Sequence, residues 1–223
     1  MNGQDQLTFA FEHRPALSGD DFLVSDCNRD AVAWLDRWPD WPAPALIIYG
    51  AAGCGKSHLV QVFSGRAGAR SLNGATSQEA ALARIGAGAG SYTADDADRE
   101  FGEEMLLHIY NAVAAAGGQL LMTASTAPKI WNPGLPDLSS RLLSAPACAI
   151  GLPDDSVIKG VLVKLFSDRQ LTVERAVIDF MLPRIERSLD TARGLVERID
   201  RAALARRRDI TLPFVREILA EPL

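Results

Sequence analysis

The sequence predicts an α/β fold, with a mostly parallel sheet and helices on both faces, followed by a small all-helical domain. Apolar strand-like runs alternate with amphipathic helical segments between Ala45 and Ile150, a pattern typical of a parallel sheet. From Pro153 onward the apolar residues recur only at three- and four-residue spacing, which indicates helices alone. We therefore expect an extended tail at residues 1–18, an α/β base at residues 19–151 and a helical lid at residues 152–223.

The composition favours an ordinary globular protein. Hydrophobic residues make up 48% and charged residues 23% of the 223 positions, and no apolar run approaches the roughly 18 residues that span a bilayer. The start lacks the pattern of a signal peptide, and three widely spaced cysteines fit a reducing compartment, so we expect a cytoplasmic protein without a membrane contact. The net charge of −5 argues against a large nucleic-acid surface, and any contact with DNA is expected to be indirect.

The most specific motif is a phosphate-binding loop. It reads Gly50, Ala51, Ala52, Gly53, Cys54, Gly55, Lys56, Ser57. Glycines let backbone amides close on a polyphosphate, the lysine reaches the outer phosphates, and the serine hydroxyl holds Mg²⁺. An apolar run at Ala45–Tyr49 predicts the strand that leads into the loop, and the apolar residues after Ser57 predict the helix that follows. The chain is therefore expected to bind a nucleoside diphosphate or triphosphate.

An acidic pair, Asp95 and Asp96, follows the loop by some 40 residues. In the hydrolysis of a nucleotide bound with Mg²⁺, one carboxylate holds the water shell of the metal and a second orients the attacking water. The preceding segment, Gly90–Ala94, is a poor strand by composition, so a solvated acidic turn stays an alternative. Ser125 follows a clear strand at Gln119–Ala124; its hydroxyl either contacts phosphate or forms a simple turn.

Two arginines are candidates for contacts with phosphate. Arg141 follows a turn rich in proline and glycine, and Arg193 lies in the predicted lid. A planar guanidinium can stabilise charge on a transferring phosphoryl group. The alternative is a surface ion pair for Arg141, and for Arg193 a solvated position on a helix.

These segments, in this order, resemble the AAA+ family, and within it the clade of the bacterial replication initiator DnaA and its relative Hda. The most specific stretches are Leu135–Arg141 and the ending Pro213–Leu219. The resemblance implies an AAA+ P-loop NTPase base with a helical lid, holding ADP or ATP with Mg²⁺. It also implies that the DNA-binding domain of the initiator is missing here, because the chain ends with the lid.

The resemblance also implies roles for individual residues. The loop residues Gly50 to Ser57 and the adjoining His58 would hold the nucleotide, with Ser57 and Asp95 near Mg²⁺ and Asp96 and Ser125 near the reacting phosphate. Arg141 falls at the position of an arginine finger acting in trans, and Arg193 near a second sensor. The segment by the adenine would be Phe22, Leu23 and Val24. The poor strand before Asp95, and a serine at position 125 where the initiator has an acidic residue, imply at most weak intrinsic ATPase activity.

The tail carries a second resemblance. Leu7, Phe9 and Phe11 alternate with polar or small residues after Gln6, as in short peptides that bind the DNA sliding clamp, the β subunit of DNA polymerase III. A plain first β-strand is the alternative.

Together these features suggest a DnaA-related regulator that docks on the clamp, stimulates ATP hydrolysis by DnaA and so represses re-initiation of replication. The alternative is an autonomous AAA+ ATPase, such as a helicase-loader-like motor. Assembly with further copies of the chain stays open.

Overall fold

The structure, a computed structural model, describes residues 23–75, 77–86 and 88–220. These residues form two compact units, one ending at Gly151 and the other beginning at Leu152. None of the described helices is long and apolar enough to cross a bilayer.

The first unit is built on a five-stranded sheet in which every pair of neighbouring strands is parallel. The strands are β1 (Ala45–Tyr49), β2 (Arg70–Ser71), β3 (Ser91–Ala94), β4 (Gln119–Ala124) and β5 (Ala147–Ala149). Their order across the sheet is β2-β3-β4-β1-β5. The phosphate-binding loop therefore leaves β1 with β4 and β5 on its two sides, and the acidic pair leaves β3 beside β4.

Helices cover both faces of this sheet, as the sequence predicts. They are α1 (Arg29–Asp36), α2 (Lys56–Ala67), α3 (Gln78–Arg84), α4 (Ala97–Glu100), α5 (Glu103–Ala115), α6 (Pro128–Trp131) and α7 (Pro136–Ser144). Alternate residues of β1 enter different cores: Ile47 packs with residues of α3, α5 and α7, whereas Ile48 packs with residues of α1 and α2. This alternation follows from the two-residue period of a strand, and it explains why the strand is apolar throughout.

The poor strand expected before Asp95 is a strand with neighbours on both sides in the structure. β3 pairs with β2 on one side and β4 on the other. Tyr92 is completely buried, and its hydroxyl accepts hydrogen bonds from Arg70 (2.6 Å) and from the backbone N–H of Gly86 (3.0 Å). A Cβ added at Gly90 would lie 2.8 Å from that hydroxyl. Gly90, one of the glycines that weaken the sequence signal, thus makes room for a large buried side chain.

The second unit is helical throughout its described residues, in agreement with the prediction. It contains α8 (Asp155–Asp168), α9 (Arg175–Met181), a 3₁₀ turn (Leu182–Arg184), α10 (Leu189–Arg206) and α11 (Leu212–Ala220). Its core is apolar, with Phe166, Met181 and Phe214 fully buried or nearly so. Side-chain caps define two helix starts: Asp154 accepts from the N–H of Val157 and Ser188 from the N–H of Thr191.

Candidate nucleotide-binding site

The phosphate-binding loop has the backbone that its glycines allow. Gly53 and Gly55 have positive φ angles of 71° and 109°, which residues with a side chain rarely adopt. Gly55 is the N-cap of α2, so the loop ends on the N-terminus of a 12-residue helix. The unpaired N–H groups and the dipole at such a terminus favour an anion. Ala51, Ala52 and Ser57 are exposed, and Gly53 and His58 are partly buried.

Gly50 is required for a different reason, which is packing. A Cβ at this position would lie 2.5 Å from the carbonyl oxygen of Ile150 and 2.9 Å from Sγ of Cys54. The first glycine of the motif therefore lets the loop lie against the chain that leaves β5. Cys54 is buried, and burial raises the pKa of its thiol, with Lys56 opposing the effect. This keeps Cys54 in the neutral thiol form, in line with its having no chemical role in the motif.

Lys56 lies between the loop and the acidic pair. Its Nζ donates to the carbonyl oxygens of Gly50 (3.0 Å) and Ala51 (3.1 Å) and lies 3.9 Å from Oδ1 of Asp96. Only 7% of its side chain is exposed, against 42% for Asp96. The structure thus brings together the lysine of one motif and a carboxylate of the other, although 40 residues of sequence separate them.

The acidic pair is held by hydrogen bonds from two sides, from β4 and from the residue that lies two positions after β2. On the β4 side, the hydroxyl of Thr123 donates to Oδ1 of Asp95 and accepts from the N–H of Asp96 (2.8 Å). On the β2 side, the carboxamide of Asn73 accepts from the N–H of Asp95 (2.8 Å) and donates to its carbonyl oxygen (2.7 Å). Asp96 has a positive φ of 48° and is the N-cap of α4. The pair is therefore part of an ordered turn.

Ser125 is hydrogen-bonded to Asp98, which was not among the predicted site residues. Its backbone N–H donates to Oδ2 of Asp98 (3.0 Å), and its hydroxyl donates to the same oxygen. The other oxygen of Asp98 is buried and has no partner among the described residues. Asp98 closes the acidic run that begins at Asp95, and this run was its only signal in the sequence. Asn73 follows the two-residue strand β2, and nothing in its sequence context marks it as a site residue.

The donor set suits Mg²⁺. A serine hydroxyl and a carboxylate are hard oxygen ligands, and Mg²⁺ is usually held by one or two carboxylates together with phosphates and waters. Consistent with this, the described residues contain no group of three or more His, Cys, Asp or Glu side chains that could hold a metal by themselves. Ser57 and Asp95 are the residues that would contribute ligands.

Arg141 lies on α7 and is exposed. Its guanidinium is 5.7 Å from the centroid of the Tyr110 ring on α5, a cation–π distance. The loop before α7 is held by Glu103, whose two carboxylate oxygens accept from the N–H groups of Gly134 (3.1 Å) and Leu135 (3.2 Å). Both contacts tie α7 to α5.

The remaining predicted residues fall into three groups. Leu23 and Val24 are partly buried in the first unit, where the carbonyl oxygen of Leu23 accepts from the Asn28 carboxamide (2.9 Å). Arg193, on α10 of the second unit, is half-exposed and lies 3.7 Å from Asp190 of the same helix. Outside the described residues lie Phe22 and the tail residues Gln6, Leu7, Phe9 and Phe11.

Both units are similar to parts of known proteins. Residues 158–219 match the family model of the Hda lid domain. Domain III of the replication initiation protein DnaA from Thermotoga maritima is similar, with a TM-score of 0.73 at 17% identity, over 89% of this chain and 93% of that one.

Longer proteins match over part of their length. AMPPCP-bound DnaA from Aquifex aeolicus has a TM-score of 0.60 at 19% identity, over 80% of this chain and 63% of that one. A RuvB variant from Thermotoga maritima has a TM-score of 0.63 at 14% identity, over 79% of this chain and 61% of that one. This chain thus spans less than two thirds of those two proteins. The fold is that of the AAA+ proteins, with a parallel α/β base and a helical lid.

Proposed function

We propose that this chain, a Hda/DnaA-like AAA+ protein, is a regulator of DNA replication that binds an adenine nucleotide and acts on the initiator DnaA. The observation that carries the proposal is the lid domain of the Hda type on an AAA+ base whose phosphate-binding loop is intact. In the finer form of the proposal, the chain docks on the DNA sliding clamp and stimulates ATP hydrolysis in DnaA, which represses re-initiation.

The P-loop and its surroundings support nucleotide binding. Loop amides at the start of α2 would hold the phosphates, and Lys56 is already within reach of the loop and of Asp96. A DnaA relative binds AMPPCP, an adenine nucleotide analogue, which favours ADP or ATP as the ligand. Mg²⁺, held through Ser57 and Asp95, would neutralise phosphate charge.

The surroundings of Ser125 support weak intrinsic hydrolysis. Its hydroxyl and backbone N–H both donate to Asp98, so a water or phosphate would have to compete with a carboxylate for the hydroxyl proton. A nucleotide that is bound but slowly hydrolysed suits a protein whose nucleotide stabilises one conformation. The hydrolysis that matters would then occur in DnaA.

Arg141 is the residue that we propose acts on the partner. It is exposed, it forms no ion pair among the described residues, and Tyr110 supports its guanidinium from one side. An arginine supplied in trans to a phosphoryl-transfer site accelerates hydrolysis by roughly 10³- to 10⁵-fold. The contacts that tie α7 to α5 would hold this arginine in position.

Clamp docking is assigned to the tail, with Leu7, Phe9 and Phe11 entering an apolar pocket and Gln6 as the polar anchor. An extended segment that becomes ordered on binding is a common way to dock a regulator. The proposal for the tail depends on the sequence pattern, because these residues lie outside the described part of the chain.

The second candidate is an autonomous AAA+ ATPase, such as a helicase-loader-like motor. The observation in its favour is β3, which has a strand on each side and leads directly into Asp95 and Asp96, so that Asp96 lies 3.9 Å from the P-loop lysine. It predicts rapid ATP turnover by the isolated protein, with a strong dependence on Asp95 and Asp96.

One experiment separates the two candidates. ATP turnover is measured for the protein alone, and then with clamp-loaded DNA and ATP-bound DnaA. A regulator shows little turnover alone and a large increase in hydrolysis by DnaA in the mixture. Rapid turnover alone, with no effect on DnaA, would establish the motor instead.

Two sets of variants test the finer claims. Arg141→Ala should lose the stimulation of DnaA and keep ADP affinity, while Arg29→Ala, which changes an exposed arginine at the first position of α1, serves as the matched control. Undiminished stimulation by Arg141→Ala would remove this residue from the mechanism. Replacing Gln6, Leu7 and Phe9 by alanine should abolish binding to the isolated clamp; retained binding would sink the proposed tether.

A further inference from the structure

Asn73 lies just past the end of β2, where this strand no longer pairs with its neighbour. β2 ends at Ser71, and its last backbone hydrogen bond to β3 runs from the N–H of Leu72 to the carbonyl oxygen of Thr93 (2.9 Å). Asp95 lies two residues after Thr93, just past the end of β3, and β2 is too short to pair with it. The side chain of Asn73 fills this gap.

The carboxamide of Asn73 acts on Asp95 as a peptide group of a neighbouring strand would. It accepts from the N–H of Asp95 at 2.8 Å and donates to the carbonyl oxygen of Asp95 at 2.7 Å. Both hydrogen-bonding groups of the Asp95 backbone are thus taken up by one side chain. Arg84 of α3 in turn donates to the carbonyl oxygens of Ser71 (3.2 Å) and Asn73 (2.8 Å), which holds the segment that carries Asn73.

This arrangement holds Asp95 from two sides. Asn73 holds its backbone, and Thr123 donates to its carboxylate from β4. The adjoining Asp96 lies 3.9 Å from the ammonium group of Lys56, so the turn is placed against the phosphate-binding loop. A carboxylate that serves Mg²⁺ has to be held within a fraction of an ångström of its working position, because Mg²⁺ demands near-ideal octahedral geometry.

We propose that Asn73 is a positioning residue for Mg²⁺: it fixes the backbone of Asp95 so that the carboxylate can serve the metal of a bound nucleotide. The inference rests on the proposed nucleotide binding. Outer partners of a metal ligand typically change metal affinity by about 10- to 100-fold when they are removed. Asn73 acts through the backbone of the ligand, so we expect the lower end of that range.

The test compares ADP affinity in Mg²⁺ with ADP affinity in EDTA, by titration calorimetry. The wild type should bind ADP more tightly in Mg²⁺. Asn73→Leu, which keeps the size of the side chain but none of its hydrogen bonds, should keep the affinity in EDTA and lose about tenfold of the gain from Mg²⁺. Asn73→Ala is the second variant, in case the leucine prevents folding.

Asn28→Leu provides the matched control. The carboxamide of Asn28, the N-cap residue of α1, also makes two hydrogen bonds to backbone groups, accepting from Ser25 N–H (2.9 Å) and donating to Leu23 O (2.9 Å), and neither partner belongs to the acidic pair. Because Leu23 is expected near the adenine and not the metal, any effect of this variant on ADP binding should be the same in Mg²⁺ and in EDTA. The ratio of ADP affinity in Mg²⁺ to ADP affinity in EDTA should be the same for Asn28→Leu as for the wild type.

The possible outcomes point in different directions. An unchanged ratio in a folded Asn73 variant overturns the positioning role while leaving nucleotide binding intact. A parallel loss of both affinities, with the ratio unchanged, also overturns it, because it shows a structural role only. A wild type that binds no ADP under either condition overturns the proposed function and this inference with it.

Discussion

Ser125 donates two hydrogen bonds to one carboxylate oxygen of Asp98, one from its backbone N–H at 3.0 Å and one from its hydroxyl. This pair joins the end of β4 to α4, and it lies directly beside the acidic turn after β3. It also means that the serine at a candidate sensor position already has a partner within the protein.

Removing that partner should destabilise the fold. Asp98→Ala leaves two donors of Ser125 without an acceptor, so we expect the free energy of unfolding to fall by about 1–3 kcal/mol. Ser125→Ala removes the hydroxyl alone and should cost less, about 1 kcal/mol. Urea denaturation measures both. Equal stability of Asp98→Ala and the wild type would show that the contact contributes nothing in solution.

Gly50→Ala tests the packing of the phosphate-binding loop. The added Cβ would lie 2.5 Å from the carbonyl oxygen of Ile150, which is backbone and has little room to move. We expect a loss of about 1–3 kcal/mol in the free energy of unfolding, as for other overpacked sites. Gly65→Ala, in α2, has no atom within 4 Å of its added Cβ and should instead stabilise the protein by about 0.5–1 kcal/mol. A neutral Gly50→Ala would contradict the packing argument.

Glu103→Gln tests how α7 is positioned. The glutamine has one carbonyl oxygen where the glutamate has two acceptors for the N–H groups of Gly134 and Leu135. Because a small displacement of a group that acts on a reaction can cost up to about 100-fold in rate, the proposed stimulation of DnaA should fall in this variant while ADP affinity stays the same. Glu104→Gln, the next residue of the same helix, is the control. If the two variants stimulate DnaA equally well, the Glu103 contacts do not position Arg141.

Cys148 should make the protein less stable at high pH. Burial, helped by the nearby Asp30, raises the pKa of its thiol from the ordinary value of 9.0 to about 12. Between these two values the unfolded chain has lost the proton and the folded chain keeps it, so stability falls as the pH rises above 9, by up to about 1.4 kcal/mol per pH unit. Below pH 9 the thiol is protonated in both states and contributes no pH dependence.

The check is a series of urea denaturations between pH 8 and pH 10.5 for the wild type and Cys148→Ala. The thiol of Cys54 also has a raised pKa, so both proteins should lose stability with pH, and the slope should be smaller in the variant. Parallel curves would show that Cys148 titrates equally in the folded and unfolded states.

Much of the fold could be predicted because its signals are local. The strands Ala45–Tyr49 and Gln119–Ala124 have the predicted bounds, and the helices of the second unit follow the predicted apolar spacing. The sequence pattern underestimates β3, because glycines lower the strand propensity of a segment. In the structure Gly90 provides space that the buried Tyr92 needs.

The sequence by itself determined the phosphate-binding loop, since its glycines, lysine and serine are consecutive and their chemistry depends on local backbone geometry. Only the tertiary structure decided what holds the acidic pair. Thr123 lies in β4, whereas Asn73 and Asp95 follow the ends of β2 and β3, and Lys56 and Asp96 meet because β1 and β3 both lie beside β4. Such contacts depend on strand order, which emerges only when the sheet assembles and its faces are buried.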